Sequence, residues 1–222
     1  IPGVVMGFEA NVTQDVWHHF ADHWNRLTID RHMGDGGTYR LRRYGQFDTR
    51  PDGSLRLRAH EPYEQPRCVN PLNGGVARHF DPLEPSFVAH RVLRSILDRL
   101  RAMVDRTAGG RTDWNIRLHP YRILARDGAP GQPTPEGLHR DGVDYVVSML
   151  VNRHNVKGGQ TTVTDTRGTA LATLTLQGAM STLIADDAKT MHAVSAVAPE
   201  VRGRPAWRDV LVIAFTRAGV AT

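Results

Sequence analysis

Leu138-His139-Arg140-Asp141-Gly142, just past the middle of the chain, sets an imidazole and a carboxylate two residues apart. On extended backbone such residues project from one face, so both groups can reach a single cation. Two protein ligands rarely hold a redox metal, and a third has to come from elsewhere. His192, in Lys189-Thr190-Met191-His192-Ala193-Val194, is the natural candidate, 51 residues beyond Asp141. Two histidines and one carboxylate make the facial triad of non-haem Fe(II) oxygenases, which leaves coordination positions open for co-substrate and oxygen. A hydrolytic Zn(II) uses similar ligands, so the triad alone leaves both chemistries open. With 11 histidines and 23 acidic residues in the chain, HxD pairs also arise by chance, usually in surface turns. The setting distinguishes this one: Pro133, Pro135 and Gly137 shape a loop ahead of it, and residues 144–151 read as a buried strand.

The elements that must position these groups follow from periodicity. Thr13-Gln14-Asp15 reads as a helix start, a capping hydroxyl followed by an acid near the positive dipole end. Val16, Phe20, Trp24 and Leu27 then recur at helical spacing as its buried stripe. His18, His19 and His23 lie on this helix. His19 and His23 have ligand spacing, but no third ligand is in reach by sequence, so they read as packed or solvated. Weak alternation over residues 39–44, turn chemistry at Arg50-Pro51-Asp52-Gly53 and alternation over residues 55–58 predict a β-hairpin with one wet, positively charged face. Residues 61–85, rich in proline, should be irregular and lie near the mouth of the site, and Arg78 within them reads equally well as a surface charge. Residues 86–106 predict one helix with Ala89, Leu93, Ile96, Leu97, Leu100, Met103 and Val104 inward and arginines outward, stopped by Gly109-Gly110.

Beyond Gly110 short strands dominate: residues 115–124, 139–151, 160–164, 170–176, 181–185, 191–198 and 207–216, separated by Gly and Pro turns. That rhythm argues for an antiparallel sandwich or barrel. A chain of 222 residues with 40% hydrophobic content fits one soluble domain, with residues 1–110 as a helical and hairpin part bracing a core at 111–222. No run of about 18 apolar residues suggests a membrane span. The chain opens at Ile1 rather than methionine, which reads as a few residues trimmed. Residues 1–8 lack the basic flank and apolar centre of a secretory signal. With Cys68 as the single cysteine, read as a small packing residue, the expected location is cytoplasmic. The net charge of +5 spreads 28 basic residues among the acids without a dense block, which argues for a small anionic ligand over nucleic acid.

The segments EGLHRDGVDYVV, NRHNVKGGQTTVTD, MHAV and RDVLVIAF resemble the 2-oxoglutarate/Fe(II) dioxygenase family of bacterial free amino-acid hydroxylases, the isoleucine-hydroxylase type. The resemblance is strong from residue 117 to 215 and looser over residues 39–83. It implies a mainly β fold with flanking helices, a double-stranded β-helix (jelly roll, cupin-like). It also implies Fe(II) on His139, Asp141 and His192, with 2-oxoglutarate and O2 as co-substrates. The far carboxylate of 2-oxoglutarate needs a cation, and an arginine fork suits a planar carboxylate. Arg208 opens the strand Arg208-Asp209-Val210-Leu211-Val212, where alternation puts it with Val210, Val212 and Ala214 on an interior face, the position the family uses; Arg217 is the fallback. Arg122, on a strand expected to face the site, is the candidate for the α-carboxylate of an amino-acid substrate. His119 and His154 read as packing or solvated histidines. The competing functions are an oxidative demethylase of nucleic acid, disfavoured by the lack of a basic block interleaved with aromatics, and a catalytically silent jelly-roll binding protein.

Overall fold

The computed structural model describes residues 12–70, 72 and 74–219. The stretch at residues 1–8 and Pro71 therefore lie outside the described part. One antiparallel sheet carries, from edge to edge, β1 (Thr28–Ile29), β2 (Arg40–Arg42), β5 (Trp114–Ala125), β13 (Ala206–Arg217), β6 (Tyr145–His154) and β10 (Thr182–Asp186). β3 (Gly45–Thr49) also pairs with β5 and with β4 (Leu55–Leu57). A smaller sheet orders β11 (Thr190–Val194), β8 (Gln160–Asp165) and β9 (Ala170–Thr175), and β12 (Val197–Pro199) pairs with β7 (Val156–Gly158). These sheets form the jelly roll, with the N-terminal strands extending its larger layer.

Period-two alternation gives the large sheet two unlike faces. Leu211, Ile213 and Phe215 of β13, Ile116 and Leu118 of β5, and Val147 and Met149 of β6 face the helices and form the main core. The opposite face, with His119, Tyr121 and Ile123 of β5 and Arg208, Val210 and Val212 of β13, lines a cavity.

The helices cover the first face. In α1 (Gln14–Ala21) the Thr13 hydroxyl accepts from Val16 N at 3.4 Å, and Trp17 and Phe20 are buried. The chain then tightens into a 3-10 turn, Asp22–Arg26, that buries His23 and Trp24. Trp24 Nε1 donates to Tyr121 O (3.0 Å) and Val210 O (3.2 Å), pinning the turn to two paired strands. The helix expected over residues 86–106 is two: α2 (Pro85–Ala89) and α3 (Arg91–Thr107). His90 breaks it, taking extended backbone while its ring accepts from Val92 N as the cap of α3. Ala89 is consequently exposed, and Phe87 and Val88 are buried in its place. His90 also comes beside the earlier pair, its Nε2 3.2 Å from His19 Nδ1. Both His23 nitrogens are engaged, with Phe20 O and Ser86 Oγ, so this is a packing cluster.

Four further expectations are corrected. The hairpin joins β3 to β4, and its neighbour β2 turns Arg40 and Arg42 inward, 6% and 1% exposed, while Leu41 faces the helices. The interior there is polar because Asp30, itself 2% exposed, meets Arg40 at 2.7 Å and Arg42 at 3.8 Å. The strand expected from residue 139 begins only at Tyr145, and the strand expected over 191–198 divides at Ser195-Ala196. Cys68 is exposed.

Candidate active site

The cavity lies between the two sheets and is closed on one side by the irregular segment that contributes Tyr63, Gln65, Asn70 and Arg78. The space inside it, with the open solvent at its mouth included, is about 890 Å³.

His139 and His192 reach it from neighbouring backbone, the loop before β6 and strand β11, joined as an antiparallel bridge. A reciprocal pair of backbone hydrogen bonds ties them, His139 N to His192 O at 3.0 Å and His192 N to His139 O at 2.9 Å. Their rings are 4.5 Å apart between centres. His139 Nδ1 lies 2.9 Å from Gly137 O, so it carries the proton and leaves Nε2 its lone pair. His192 Nε2 lies 3.6 Å from Asp141 Oδ2, and His192 Nδ1 is buried without a partner. Burial lowers the His192 pKa, with the Asp141 carboxylate pulling the other way, and the neutral ring is the form a cation requires. Ligand atoms of His139, Asp141 and His192 all lie within 4.8 Å of one another, the one such group among the described residues. Two imidazoles and a carboxylate on one side, with the cavity on the other, suit a divalent transition ion that keeps open positions.

The loop from His139 to Val143 leaves regular pairing, yet its amides are satisfied. Asp187, fully buried, accepts from Asp141 N (3.0 Å), Gly142 N (2.8 Å) and Val143 N (3.0 Å). Burial raises its pKa, against those three donors. Sequence reasoning missed Asp187, because the Asp186-Asp187 pair looks like ordinary turn chemistry and nothing local tells the buried acid from its half-buried neighbour. Asp187→Ala is expected to lower divalent-metal affinity by about 10–100-fold, as loss of a ligand-orienting partner does. A chelator competition titration measures this, and unchanged affinity would mean that the loop holds itself.

Arg208 is 3% exposed, its Nε is buried without a partner, and no acid pairs with it among the described residues. Burial, with Arg153 nearby, pushes its pKa down to about 10. Gly159 makes room for it: at φ +71°, an added Cβ would stand 3.2 Å from Arg208 Cδ. Arg217 lies away from the cavity, paired with Asp144 at 3.7 Å and half exposed.

Arg122 is not in the cavity. Alternation along β5 turns it to the helix-packed face, in phase with Ile116 and Leu118, while its neighbours Tyr121 and Ile123 face inward. There it forks onto buried Asp209, Nε to Oδ1 at 2.7 Å and Nη2 to Oδ2 at 2.8 Å, and its third nitrogen reaches Asn25. Its donors are used. His119, by contrast, lines the cavity, fully buried against Tyr44 and Tyr63 and hydrogen-bonded to Arg42, and burial holds it far below its usual pKa. His154 stacks on Trp207.

A jelly roll whose cavity is lined by two histidines, a carboxylate and a buried arginine without an acid has the parts that a metal-dependent oxygenase with an anionic co-substrate would need. Residues 21–214 match the family model described as 2OG-Fe dioxygenase, and the chain belongs to that family, whose members use Fe(II), 2-oxoglutarate and O2. It is 27% identical over 181 residues to the 3(1)-hydroxy-L-isoleucine 4-dioxygenase of Pantoea ananatis (strain AJ13355), covering 80% of this chain and 73% of that one. It is also 27% identical over 157 residues to the L-isoleucine-4-hydroxylase of Bacillus thuringiensis, covering 69% of this chain and 65% of the relative. The crystal structure of a bsmA homolog from Methylobium petroleophilum PM1 superposes with a TM-score of 0.83 at 34% identity, over 94% of this chain and 83% of that one. Among the described residues no helix is long and apolar enough to cross a membrane.

Proposed function

We propose that the protein hydroxylates an unactivated C–H bond of a free L-amino acid, aliphatic or cyclic, with release of succinate and CO2. Its residues 1–222 act as one catalytic domain. His139, Asp141 and His192 hold Fe(II), and Arg208 takes the C5 carboxylate of 2-oxoglutarate. The observation that carries the reading is Arg208 itself: a guanidinium removed from water with no acid paired to it is costly, and a ligand that brings the anion offsets that cost. It shares its cavity with the three ligand side chains. When bound, the metal and its co-substrate supply oxygen activation and C–H oxidation.

The chain's own residues do the rest. Gly137 O fixes the His139 ring, Asp187 holds the backbone beneath Asp141, and the His139–His192 backbone pair keeps both ligands in register. Val194, Val210 and Val212 give the cavity an apolar wall suited to an aliphatic side chain. Both named relatives act on isoleucine or a hydroxyisoleucine, which supports the amino-acid class over nucleic acid. A cytoplasmic setting, where the exposed Cys68 thiol stays reduced, belongs to the same proposal.

The test is succinate release with Fe(II), 2-oxoglutarate and ascorbate across a panel of free amino acids and methylated oligonucleotides. An aliphatic amino acid is expected to stimulate release and gain one oxygen by mass. Stronger stimulation by an oligonucleotide would reverse the assignment.

A further inference from the structure

Two charged side chains in the cavity are left unused by these assignments. Arg78 is 3% exposed and lines the cavity wall. Its Nη2 donates to Gln65 Oε1 at 2.7 Å and its guanidinium stands 4.7 Å from the centre of the Tyr63 ring. Its Nε is buried without a partner, and no carboxylate pairs with it among the described residues. Glu136 is the converse: Oε1 lies 3.5 Å from His139 Nε2, and Oε2 is buried with no partner. Elsewhere Arg40 is met by Asp30 and Arg122 by Asp209, Asp187 is held by backbone amides, and Arg208 is assigned to 2-oxoglutarate.

A buried charge without its counter-ion is costly, and a cavity holding one of each sign suits a ligand that brings both. 2-Oxoglutarate cannot be that ligand, since it is anionic at both ends and offers nothing to a carboxylate. A free amino acid carries one carboxylate and one ammonium. We infer that Arg78 receives the carboxylate of the amino-acid substrate and Glu136 its ammonium, an assignment that rests on the hydroxylase reading above. Gln65 keeps this anchor in register with the metal loop, because its Oε1 accepts from Arg78 while its Nε2 donates to Asp141 O at 3.3 Å. Holding both polar ends leaves the side chain as the part presented for oxidation. It also rejects acids without the amine and amines without the acid, because each leaves one buried charge unmatched.

The experiment compares L-isoleucine, L-isoleucinamide and 3-methylpentanoic acid as activators of succinate release by the Fe(II)-loaded protein. Wild type is expected to prefer L-isoleucine strongly over both analogues. Arg78→Gln is expected to raise the half-saturating L-isoleucine concentration about 100-fold, the scale of a truncated buried ion pair, and to erase the preference over the amide. Glu136→Gln is expected to erase the preference over 3-methylpentanoic acid. Metal content and 2-oxoglutarate half-saturation should stay as in wild type for both variants, which also reports that they are folded. Arg78→Lys and Glu136→Asp should recover part of the loss. The inference is overturned if wild type accepts the amide or the des-amino acid as readily as L-isoleucine. It is equally overturned if the variants keep the wild-type preferences, or if the Arg78 effect falls on 2-oxoglutarate. Wild type that responds to no amino acid at all sinks the hydroxylase reading itself, and this inference with it.

Discussion

His192→Ala is expected to give a folded protein that releases no measurable succinate. The backbone bonds joining His192 to His139 do not involve the side chain, and β11 keeps its pairing with β8, so the strand survives the change. What goes is one of three protein donors to the ion. A bound metal is worth several kcal/mol of charge stabilisation, and at about 1.4 kcal/mol per factor of ten the fall in turnover is about a thousandfold or more. Metal analysis after anaerobic loading, beside a succinate assay and a thermal melt, checks all three statements. A variant that retains both metal and turnover removes His192 from the ligand set.

Arg208→Ala is expected to act on a different quantity. Truncating one partner of a buried charge pair costs about 2–5 kcal/mol, which at about 1.4 kcal/mol per decade weakens 2-oxoglutarate binding by some tens to a few thousandfold. Arg208→Lys should restore part, because an ammonium reproduces the charge but not the two-pronged geometry. Metal binding should persist. The ligand-free protein is expected to behave in the opposite sense: with the unpaired guanidinium replaced by Met, its melting temperature should hold or rise, since a buried unpaired charge has been removed. Titration of 2-oxoglutarate into anaerobic Fe(II) protein, with melts with and without co-substrate, reads both effects. If Arg217→Ala loses 2-oxoglutarate and Arg208→Ala does not, the wrong arginine has been assigned.

How much of this was legible in the sequence depends on how local the signal was. The HxD pair and the alternation of Arg208 with Val210, Val212 and Ala214 are short-range patterns, and those residues meet at one cavity. Arg122 shows where such patterns stop. Both faces of β5 carry apolar residues, so alternation does not say which face is which, and the Asp209 that takes its guanidinium is 87 positions away. Arg40-Leu41-Arg42 alternates as a half-wet strand does, but the polar side turns out to be the cavity and the leucine meets the helices. Asp187 and Arg78 lie in turns and irregular chain, where spacing carries no phase at all. Their neighbours come from long-range closure: Asp187 from the loop 44–46 residues earlier, Arg78 from the backbone bridge that pairs it with Tyr63.

The reciprocal backbone link between His139 and His192 bears on how the protein competes for metal. Because main-chain bonds and the Asp187 clamp set the spacing of the proposed ligands, loading requires little folding, unlike a finger domain that folds only around its ion. Such a ready-made mould gains nothing from one ion over another by reorganisation. Intrinsic preference then follows the general order in which copper and zinc outrank ferrous iron at nitrogen and oxygen donors. Selection of ferrous iron then has to come from the geometry of the preformed site together with which free ions are available to it, not from raw affinity.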